Sequence, residues 1–346
     1  MRPSSLFVSA RDGTRLFVRY TPHDLLEERG SPASEGVPPP EIEGGLQSAP
    51  RPTAILNDGI ACDGFIWKYL FEDVARHANV VHWHYRGHGR SARPNDTSLT
   101  ALTDHARDMD TVRRMVAKEP VVLFGHSMGC QVALEGYRLH PENVAGLVLI
   151  CGSYGRVTHT FKGTDVMAQL LPGAIRAVDK HTRIARGLWG NFSPELALRI
   201  ALMTGEVDAR SIAAEDLLPY MKHMVDIDLP MFLRMLHSAG EHSARDLLPN
   251  IHVPVLVIAG DRDTFTPTRY AEEMARLIPK AKLVVLPGTH VIPIERKDQV
   301  SALVAEFFES LRPAEKSAAG SEPAAADGEK NVGAPPGEMR AGEVTG

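Results

Sequence analysis

Residues 125–129, which read Gly-His-Ser-Met-Gly, constrain the fold of this chain more than any other segment. An apolar run at 120–124, typical of a buried strand, precedes them, and a helical pattern begins at 131–135. A serine between two glycines at such a junction predicts a sharp turn, because side chains at the glycine positions would collide across it. The turn would place the Ser127 hydroxyl above the end of the strand, where the helix dipole favours developing negative charge. The alternative is a glycine-bracketed turn with an idle serine.

Strand and helix patterns alternate on both sides of this turn. Strands are predicted at 53–57, 80–84, 121–124, 146–151, 255–259 and 282–286, and helices at 65–77, 103–118, 128–140, 269–278 and 298–311. The runs 5–10 and 14–20 flank Arg-Asp-Gly and predict an N-terminal hairpin. The pattern predicts an α/β fold, with a mostly parallel eight-stranded sheet and helices on both of its faces.

The alternation stops between residues 153 and 250, and this region predicts a helical cap, or lid, inserted into the core. Its helical patterns cover 167–171, 174–179, 194–203, 217–225 and 229–239. The core is then expected in two parts, 1–152 and 251–312. Within the first part, residues 23–51 are rich in Pro, Gly, Ser and Glu and predict an irregular loop. Residues 313–346 have almost no large apolar side chains and predict a disordered tail.

Charge and cysteine content narrow the class of protein. A formal net charge of -5 gives no basic excess of the kind that binds phosphate backbones, so nucleic acid is not an expected partner. Three scattered cysteines do not form a disulfide framework, and no long apolar run predicts membrane insertion. We therefore expect a cytoplasmic protein with a small-molecule substrate, whose oligomeric state is not readable from the pattern.

A serine hydroxyl becomes a good nucleophile only when a histidine takes its proton and a carboxylate holds that imidazole in place. Two candidate acids, Asp261 and Asp263, follow the strand predicted at 255–259. His290 follows the strand predicted at 282–286. These positions put the candidate acids and the candidate base directly after two successive predicted strands.

These motifs together resemble the α/β-hydrolase superfamily, in its cap-bearing esterase, lipase and C–C hydrolase branches, over about residues 5–312 without the 23–51 loop. The resemblance implies a serine hydrolase that needs no cofactor, with Ser127 as nucleophile and His290 as base. It places the acid at the end of a G-x-x-D motif, which selects Asp263 and leaves Asp261 as the fallback. Thr289 stands where the family has a second glycine before its histidine.

The resemblance also implies an oxyanion hole, the pair of N–H groups that stabilises negative charge on the substrate oxygen. Its donors would be the backbone N–H groups of Ile60 and Met128. Asp58 replaces the histidine that the family usually carries in the loop after the third strand. The expected activity is cleavage of an ester-like bond of a small, apolar substrate through an acyl-enzyme. C–C bond hydrolysis, acyl transfer, cofactor-free perhydrolysis and non-catalytic ligand binding remain alternatives on the same residues.

Other conspicuous residues have simpler interpretations. His82, His84 and His88 lie close together, but no carboxylate or cysteine stands at ligand spacing beside them, so no metal is expected. Residues 85–91 resemble the family's structural R-G-x-G-x-S turn, and His126 is expected to pack against the serine turn. Methionines of the insertion predict core packing or an apolar pocket wall: Met167, Met203, Met221, Met224, Met231 and Met235.

Overall fold

The computed structural model describes residues 4–23, 51–159, 163–203, 212 and 214–312. The loop predicted over 23–51, except for its two end residues, and the tail predicted over 313–346 lie outside the described residues.

One eight-stranded sheet forms the centre of the described structure. Its strands are β1 (Ser4–Ser9), β2 (Arg15–Thr21), β3 (Thr53–Asn57), β4 (Asn79–Trp83), β5 (Val121–His126), β6 (Val144–Ile150), β7 (Val255–Gly260) and β8 (Ala281–Leu286). They lie in the order β1-β2-β4-β3-β5-β6-β7-β8. The hairpin β1–β2 pairs antiparallel within itself and with β4, and the pairs from β4 through β8 are parallel. This confirms the predicted sheet.

Helices cover both faces of the sheet and form the insertion. The core helices are α1 (Leu70–Ala75), α2 (Leu102–Val116), α3 (Met128–Leu139), α9 (Thr268–Leu277), α10 (Ile292–Glu295) and α11 (Lys297–Ser310). The insertion between β6 and β7 contains α4 (Val166–Lys180), α5 (Thr182–Gly190), α6 (Pro194–Met203), α7 (Ala214–Asp226) and α8 (Leu229–Glu241). Among the described residues, no helix is both long enough and apolar enough to cross a membrane.

Successive side chains of the central strands enter two separate hydrophobic cores, because side chains alternate across a sheet. On β5, Leu123 packs in the core that also contains residues of α2, α3 and α9. Its neighbour Phe124 packs in the core on the opposite face, with residues of α1 and α11. The inner strands β3 and β4 are buried over their full lengths, as their nearly continuous apolar sequences require.

The helices of the insertion differ from the sequence prediction at two places. The patterns at 167–171 and 174–179 belong to one helix, α4, which continues through Pro172. Proline removes one backbone hydrogen bond, but α4 also packs against α8, which supports the helix. Helix α5 was not predicted, because Gly187 and Gly190 weaken its helical signal. It is held by tertiary contacts: the Trp189 ring stacks on Phe232 at 5.8 Å.

The segment predicted as a helix over 65–77 is also shorter in the structure. A single 3-10 turn covers Phe65–Trp67, and α1 follows at Leu70–Ala75. Gly64 begins the turn with a φ of 101°, a left-handed conformation that side-chain-bearing residues rarely adopt. A Cβ there would also lie 2.5 Å from Cε1 of His82. The turn at Gly64 and the 3-10 turn thus occupy the start of the predicted segment, and the α-helix α1 covers only residues 70–75.

Candidate active site

The serine turn lies between β5 and α3, at the carboxyl end of the parallel strands. Ser127 has φ 55° and ψ -122°, a strained conformation for a residue other than glycine. Its backbone is fixed at both ends, since its N–H donates to the carbonyl of Ile150 at 3.1 Å and its carbonyl accepts from the N–H of Cys130 at 3.0 Å. The structure therefore places the predicted nucleophile at the end of a rigid, buried strand.

The two glycines of the turn are required by close backbone contacts. A Cβ on Gly125 would lie 2.5 Å from the carbonyl oxygen of Gly129. A Cβ on Gly129 would lie 2.1 Å from the carbonyl oxygen of Asn57, in the neighbouring strand β3. Real Cβ atoms essentially never come this close to backbone atoms. The collision predicted from the sequence is confirmed. Gly129 also packs directly against the backbone of β3.

Gly129→Ala is expected to lower the free energy of unfolding by more than about 2 kcal/mol, because β3 or α3 must move to admit the methyl group. Chemical denaturation monitored by circular dichroism measures the change. The matched control is Gly187→Ala in α5, where no atom lies within 4 Å of the added Cβ. This control should gain about 0.5–1 kcal/mol from helix propensity. Equal stabilities of the two variants would contradict the close approach at Gly129.

Asp263 and His290 meet beside this turn, one after β7 and the other after β8. The Nδ1–H of His290 donates to Oδ2 of Asp263 at 2.8 Å. The carboxylate also accepts the N–H groups of Phe265 and Thr266 at Oδ1, and the Thr266 hydroxyl at Oδ2. Burial raises the pKa of Asp263, but the attraction of His290 and these hydrogen bonds outweigh it and lower the pKa below its usual value. Asp263 is therefore an ionised, fully paired partner for the imidazole.

Asp261, the fallback acid, has a different role. Its Oδ1 accepts the backbone N–H of Gly288 at 2.9 Å, and about half of its side chain is exposed. It therefore ties the end of β7 to the loop that carries His290. Between the two aspartates of the G-x-x-D segment, Asp263 is the one that contacts the imidazole.

Two further anchors hold the His290 loop. Glu295 accepts the N–H of Thr289 at 2.6 Å and its hydroxyl at 2.8 Å, so a threonine side chain takes part where the family has glycine. The carbonyl of His290 accepts a hydrogen bond from Nε2 of His126 at 2.9 Å. Burial, followed by the influence of His290, lowers the pKa of His126 to about 3, so this ring is neutral. Glu295 was not recognised from the sequence, where only its position five residues after His290 could have indicated it.

His126 also connects Ser127 to His290. It is the neighbour of Ser127 in the chain, and its ring lies 5.0 Å from that of His290, centroid to centroid. The hydroxyl of Ser127 has no hydrogen-bond partner among the described residues, His290 included. Serine–histidine hydrogen bonds are often long in ligand-free sites and shorten when substrate binds.

The loop after β3 approaches the serine turn from the other side. We call residues 58–62 the oxyanion loop. A Cβ on Gly59 would lie 3.2 Å from both Cβ of Ser127 and Nδ1 of His126, so the loop is packed directly against the turn. Ile60 follows at once, and Met128 is the first residue of α3, where a backbone N–H has no intrahelical acceptor. Both predicted oxyanion donors are thus backbone groups on segments that adjoin Ser127.

The carboxylate of Asp58 is buried beneath the oxyanion loop. It accepts from Nε1 of Trp67 at 2.6 Å and from Nε2 of His82 at 2.9 Å. Burial raises the pKa of Asp58, but attraction to His82 and these hydrogen bonds lower it below its usual value. The acidic side chain that replaces the family's usual histidine therefore anchors the loop to the 3-10 turn at Phe65–Trp67 and to β4. The sequence showed that Asp58 stands where the family has histidine, but it did not show where the Asp58 side chain points.

The histidines that could have indicated a metal are engaged with protein groups. His82 pairs with Asp58, and Nδ1 of His84 accepts the N–H of Arg90 at 2.8 Å. Nε2 of His88 accepts the N–H of Ala61 at 3.3 Å. No group of three or more potential metal ligands occurs within the described ranges. These residues support the loops around the site.

The methionines of the insertion divide between core and surface. Met221, Met231 and Met235 are buried, and Met231 and Met235 share a hydrophobic cluster with Met128 of the serine turn. Met203 is 86% exposed and takes no part in a pocket wall. The two α8 methionines, four residues apart on one helix face, therefore place flexible apolar side chains in the cluster that reaches Met128.

Comparison with known proteins agrees with this architecture. Residues 59–303 match the alpha/beta hydrolase family, and the chain belongs to that family. It is a hydrolase with the alpha/beta-hydrolase fold.

Individual relatives are distant. A polyketide synthase of Burkholderia thailandensis is 27% identical over 318 residues, which cover 89% of this chain but only 14% of that protein. A pimeloyl-[acyl-carrier protein] methyl ester esterase of Methylococcus capsulatus is 24% identical over 75% of this chain and 95% of its own length. The solved esterase of Exiguobacterium antarcticum has a TM-score of 0.64 and 19% identity over 88% of this chain and all of that chain.

Proposed function

We propose that this protein cleaves an ester-like bond of a small, apolar substrate through an acyl-enzyme on Ser127. The observation that carries the proposal is the hydrogen bond between buried Asp263 and partly exposed His290, on loops that adjoin a serine held in a strained strand-to-helix turn. Each of these residues follows a different strand, so only the folded sheet brings them together. The pair and the turn provide an acid, a base and a nucleophile in the arrangement that acyl transfer needs.

In the first half-reaction, Oγ of Ser127 attacks the substrate carbonyl carbon and its proton passes to Nε2 of His290. Asp263 keeps Nδ1 protonated, so that Nε2 is the free acceptor. The N–H groups of Ile60 and Met128 stabilise the negative charge on the carbonyl oxygen. When the intermediate collapses, the alcohol leaves with the proton from His290, and the acyl group remains on Ser127.

In the second half-reaction, His290 takes a proton from water, and the resulting hydroxide attacks the acyl carbon. The ester bond to Ser127 breaks, its oxygen recovers the proton from His290, and the carboxylic acid leaves. No electrons are exchanged and no metal takes part in these steps. The protein's contribution is the fixed geometry of the pair and the backbone donors.

In this proposal residues 153–250, which contain the helices between β6 and β7, form a cap. The core domain consists of residues 1–152 and 251–312. Tyr220 of α7 stacks on Phe65 at 4.5 Å, next to the oxyanion loop. His223 of α7 lies 3.8 Å from a carboxylate oxygen of Asp63. These contacts between α7 and the segment after the oxyanion loop support the proposal that an apolar cap encloses an acyl or alkyl group of the substrate.

The relatives support an acyl ester as the substrate class. One of them is by its name a methyl ester esterase, and it matches this chain over 95% of its own length. The same residues could also serve C–C bond hydrolysis, acyl transfer or cofactor-free perhydrolysis. Ester hydrolysis is preferred because it needs only the groups described above and water.

Purified protein should hydrolyse p-nitrophenyl esters at rates that depend on acyl length, because an apolar cavity gains transition-state stabilisation with each buried methylene, up to about 0.8 kcal/mol. The release of p-nitrophenol from C2 to C12 esters measures kcat/KM across the series. Met231→Ala should shift the preferred length, and exposed Met203→Ala is the matched control. Rates that do not vary with length would contradict the apolar cavity, and absence of hydrolysis would contradict the reaction class.

A further inference from the structure

Besides the bonds of the Asp58 carboxylate, two hydrogen bonds to residues 85 and 88 hold the backbone of the oxyanion loop, one on either side of Ile60. The carbonyl of Asp58 accepts the hydroxyl of Tyr85 at 2.7 Å. The N–H of Ala61 donates to Nε2 of His88 at 3.3 Å. Only Gly59 and Ile60 lie between these two bonds. The Gly59 carbonyl, in the same peptide group as the Ile60 N–H, accepts from the N–H of Cys62 at 3.3 Å, so the direction of the Ile60 N–H depends on how this whole turn is held at its two ends. Resting on the proposed function, we infer that His88 is a positioning residue that aims the Ile60 N–H at the substrate oxygen.

The surroundings of His88 give its ring only one useful orientation. The side chain is fully buried, and its Nδ1–H donates to the carbonyl of Arg86 at 3.1 Å. That bond leaves Nε2 without a proton, as an acceptor for the Ala61 N–H. Burial lowers the pKa of His88 to about 4, so the ring stays neutral, and Nε2 stays an acceptor, at neutral pH.

The loop needs this support because its own conformation is unfavourable. Ala61 has a φ of 61°, in the left-handed region that costs a residue other than glycine about 1 kcal/mol or more. Without a bond at its N–H, Ala61 would relax toward negative φ and rotate the peptide groups next to it. The Ile60 N–H lies one residue away, so this rotation would redirect the second oxyanion donor.

The segment that carries His88 is itself rigid. Arg86, also fully buried, donates from Nε and Nη2 to the two carboxylate oxygens of Asp108 at 2.8 and 2.6 Å. The ring of His88 lies 6.0 Å from that of His223 on α7, centroid to centroid. The bond to Ala61 therefore joins the oxyanion loop to a fixed part of the core, in contact with the cap.

Two substitutions distinguish the role of Nε2 of His88 as a hydrogen-bond acceptor from the role of the side chain in packing. His88→Gln places an amide near the position of Nε2, where its oxygen accepts from Ala61. His88→Asn places its amide near Nδ1, where it donates to Arg86 but leaves Ala61 without a partner. We expect H88N to lower kcat about 10- to 100-fold with KM within about 3-fold, and H88Q to retain activity within about 3-fold.

Binding of a trifluoromethyl ketone separates positioning from mere structural support, because this inhibitor forms a tetrahedral oxyanion in the site. Its inhibition constant should rise in H88N by the same factor as kcat falls, and in H88Q it should not change. Tyr85→Phe, which removes the second fixing bond and keeps the ring, should resemble H88N and serves if H88N does not fold. Equal loss in H88N and H88Q, or wild-type kcat in H88N and Y85F, would overturn the inference.

Amide hydrogen exchange distinguishes failure of this inference from failure of the proposed function. In the absence of substrate, peptides covering residues 58–62 should exchange faster in H88N than in H88Q or wild type. This result does not depend on catalysis at Ser127. If residues 58–62 exchange at the same rate in H88N and in wild type, the positioning role of His88 is overturned. If exchange is faster in H88N but Ser127→Ala retains activity, only the proposed function is overturned.

Discussion

Ser127→Ala is expected to lower kcat for ester hydrolysis by at least about 10⁴-fold, because it removes the only atom proposed to form the acyl-enzyme. Steady-state assays with the best chromogenic ester from the length series measure the loss. KM should change little, since the apolar contacts that bind substrate remain. A fluorophosphonate probe should label wild type at residue 127, identified by mass spectrometry of the labelled peptide, and should not label the variant.

Ser127→Gly is the matched control for backbone effects. Ser127 has a positive φ, so alanine leaves the strain in place, whereas glycine adopts this conformation without cost. Both variants should be inactive, and the melting temperature should show that each is folded. A glycine variant with near wild-type turnover would remove Ser127 from the mechanism. A wild-type protein with neither labelling nor turnover would favour the non-catalytic binding protein considered from the sequence.

The sheet could be predicted closely because its signals are local. Strands buried on both faces must be apolar throughout, and β3 was predicted at the residues where the structure has it, Thr53–Asn57. The strand-to-helix turn was equally readable, since a Cβ at Gly125 or Gly129 would meet backbone atoms. When backbone geometry allows only one residue type at a position, as at these glycines, a single sequence is enough to predict the local structure.

The insertion was less predictable because tertiary contacts, not propensity, hold its helices. The patterns at 167–171 and 174–179 predicted two helices, yet α4 runs through both, and the unpredicted α5 contains two glycines. The indole N–H of Trp189 donates to the carbonyl of Ile227 at 3.1 Å, a contact between segments far apart in sequence. Such contacts override the weak helix propensity of the glycines, and a partner far away in the sequence cannot be read from residues 182–190 alone.

The candidate site shows the same division between local and tertiary information. The order of Ser127, Asp263 and His290 followed from the strands that precede them. The supporting residues did not, because Thr266, Glu295 and His88 act through bonds that depend on how separate loops meet. The resemblance selected Asp263 and left Asp261 as the fallback, whereas the residues alone did not separate the two aspartates. In the structure only Asp263 contacts His290, which makes the two aspartates a matched experimental pair.

Asp263→Asn is expected to lower kcat about 10³- to 10⁴-fold, whereas Asp261→Asn should stay within about 3-fold of wild type. The Oδ2 atom of Asp263 accepts hydrogen bonds from both His290 and Thr266, and an amide cannot accept both while its oxygen also accepts the N–H groups that bond to Oδ1. His290 would then turn or change tautomer, and Nε2 would no longer accept the serine proton. Steady-state kinetics of both variants at neutral pH measure the difference.

Stability against pH provides an independent test of the same pair. The pKa of Asp263 is lowered in the folded protein, so its ionised form stabilises the fold above the unfolded value of about 3.9, and this contribution is lost as the pH falls through the lower folded pKa. Asp263→Asn should therefore be less stable than wild type at pH 7, and the difference should narrow below about pH 4. Asp261→Asn, on a half-exposed side chain, should show little difference at either pH. If Asp261→Asn were instead the inactive variant, Asp261 would be the catalytic acid, and the hydrogen bond between Asp263 and His290 would be structural only.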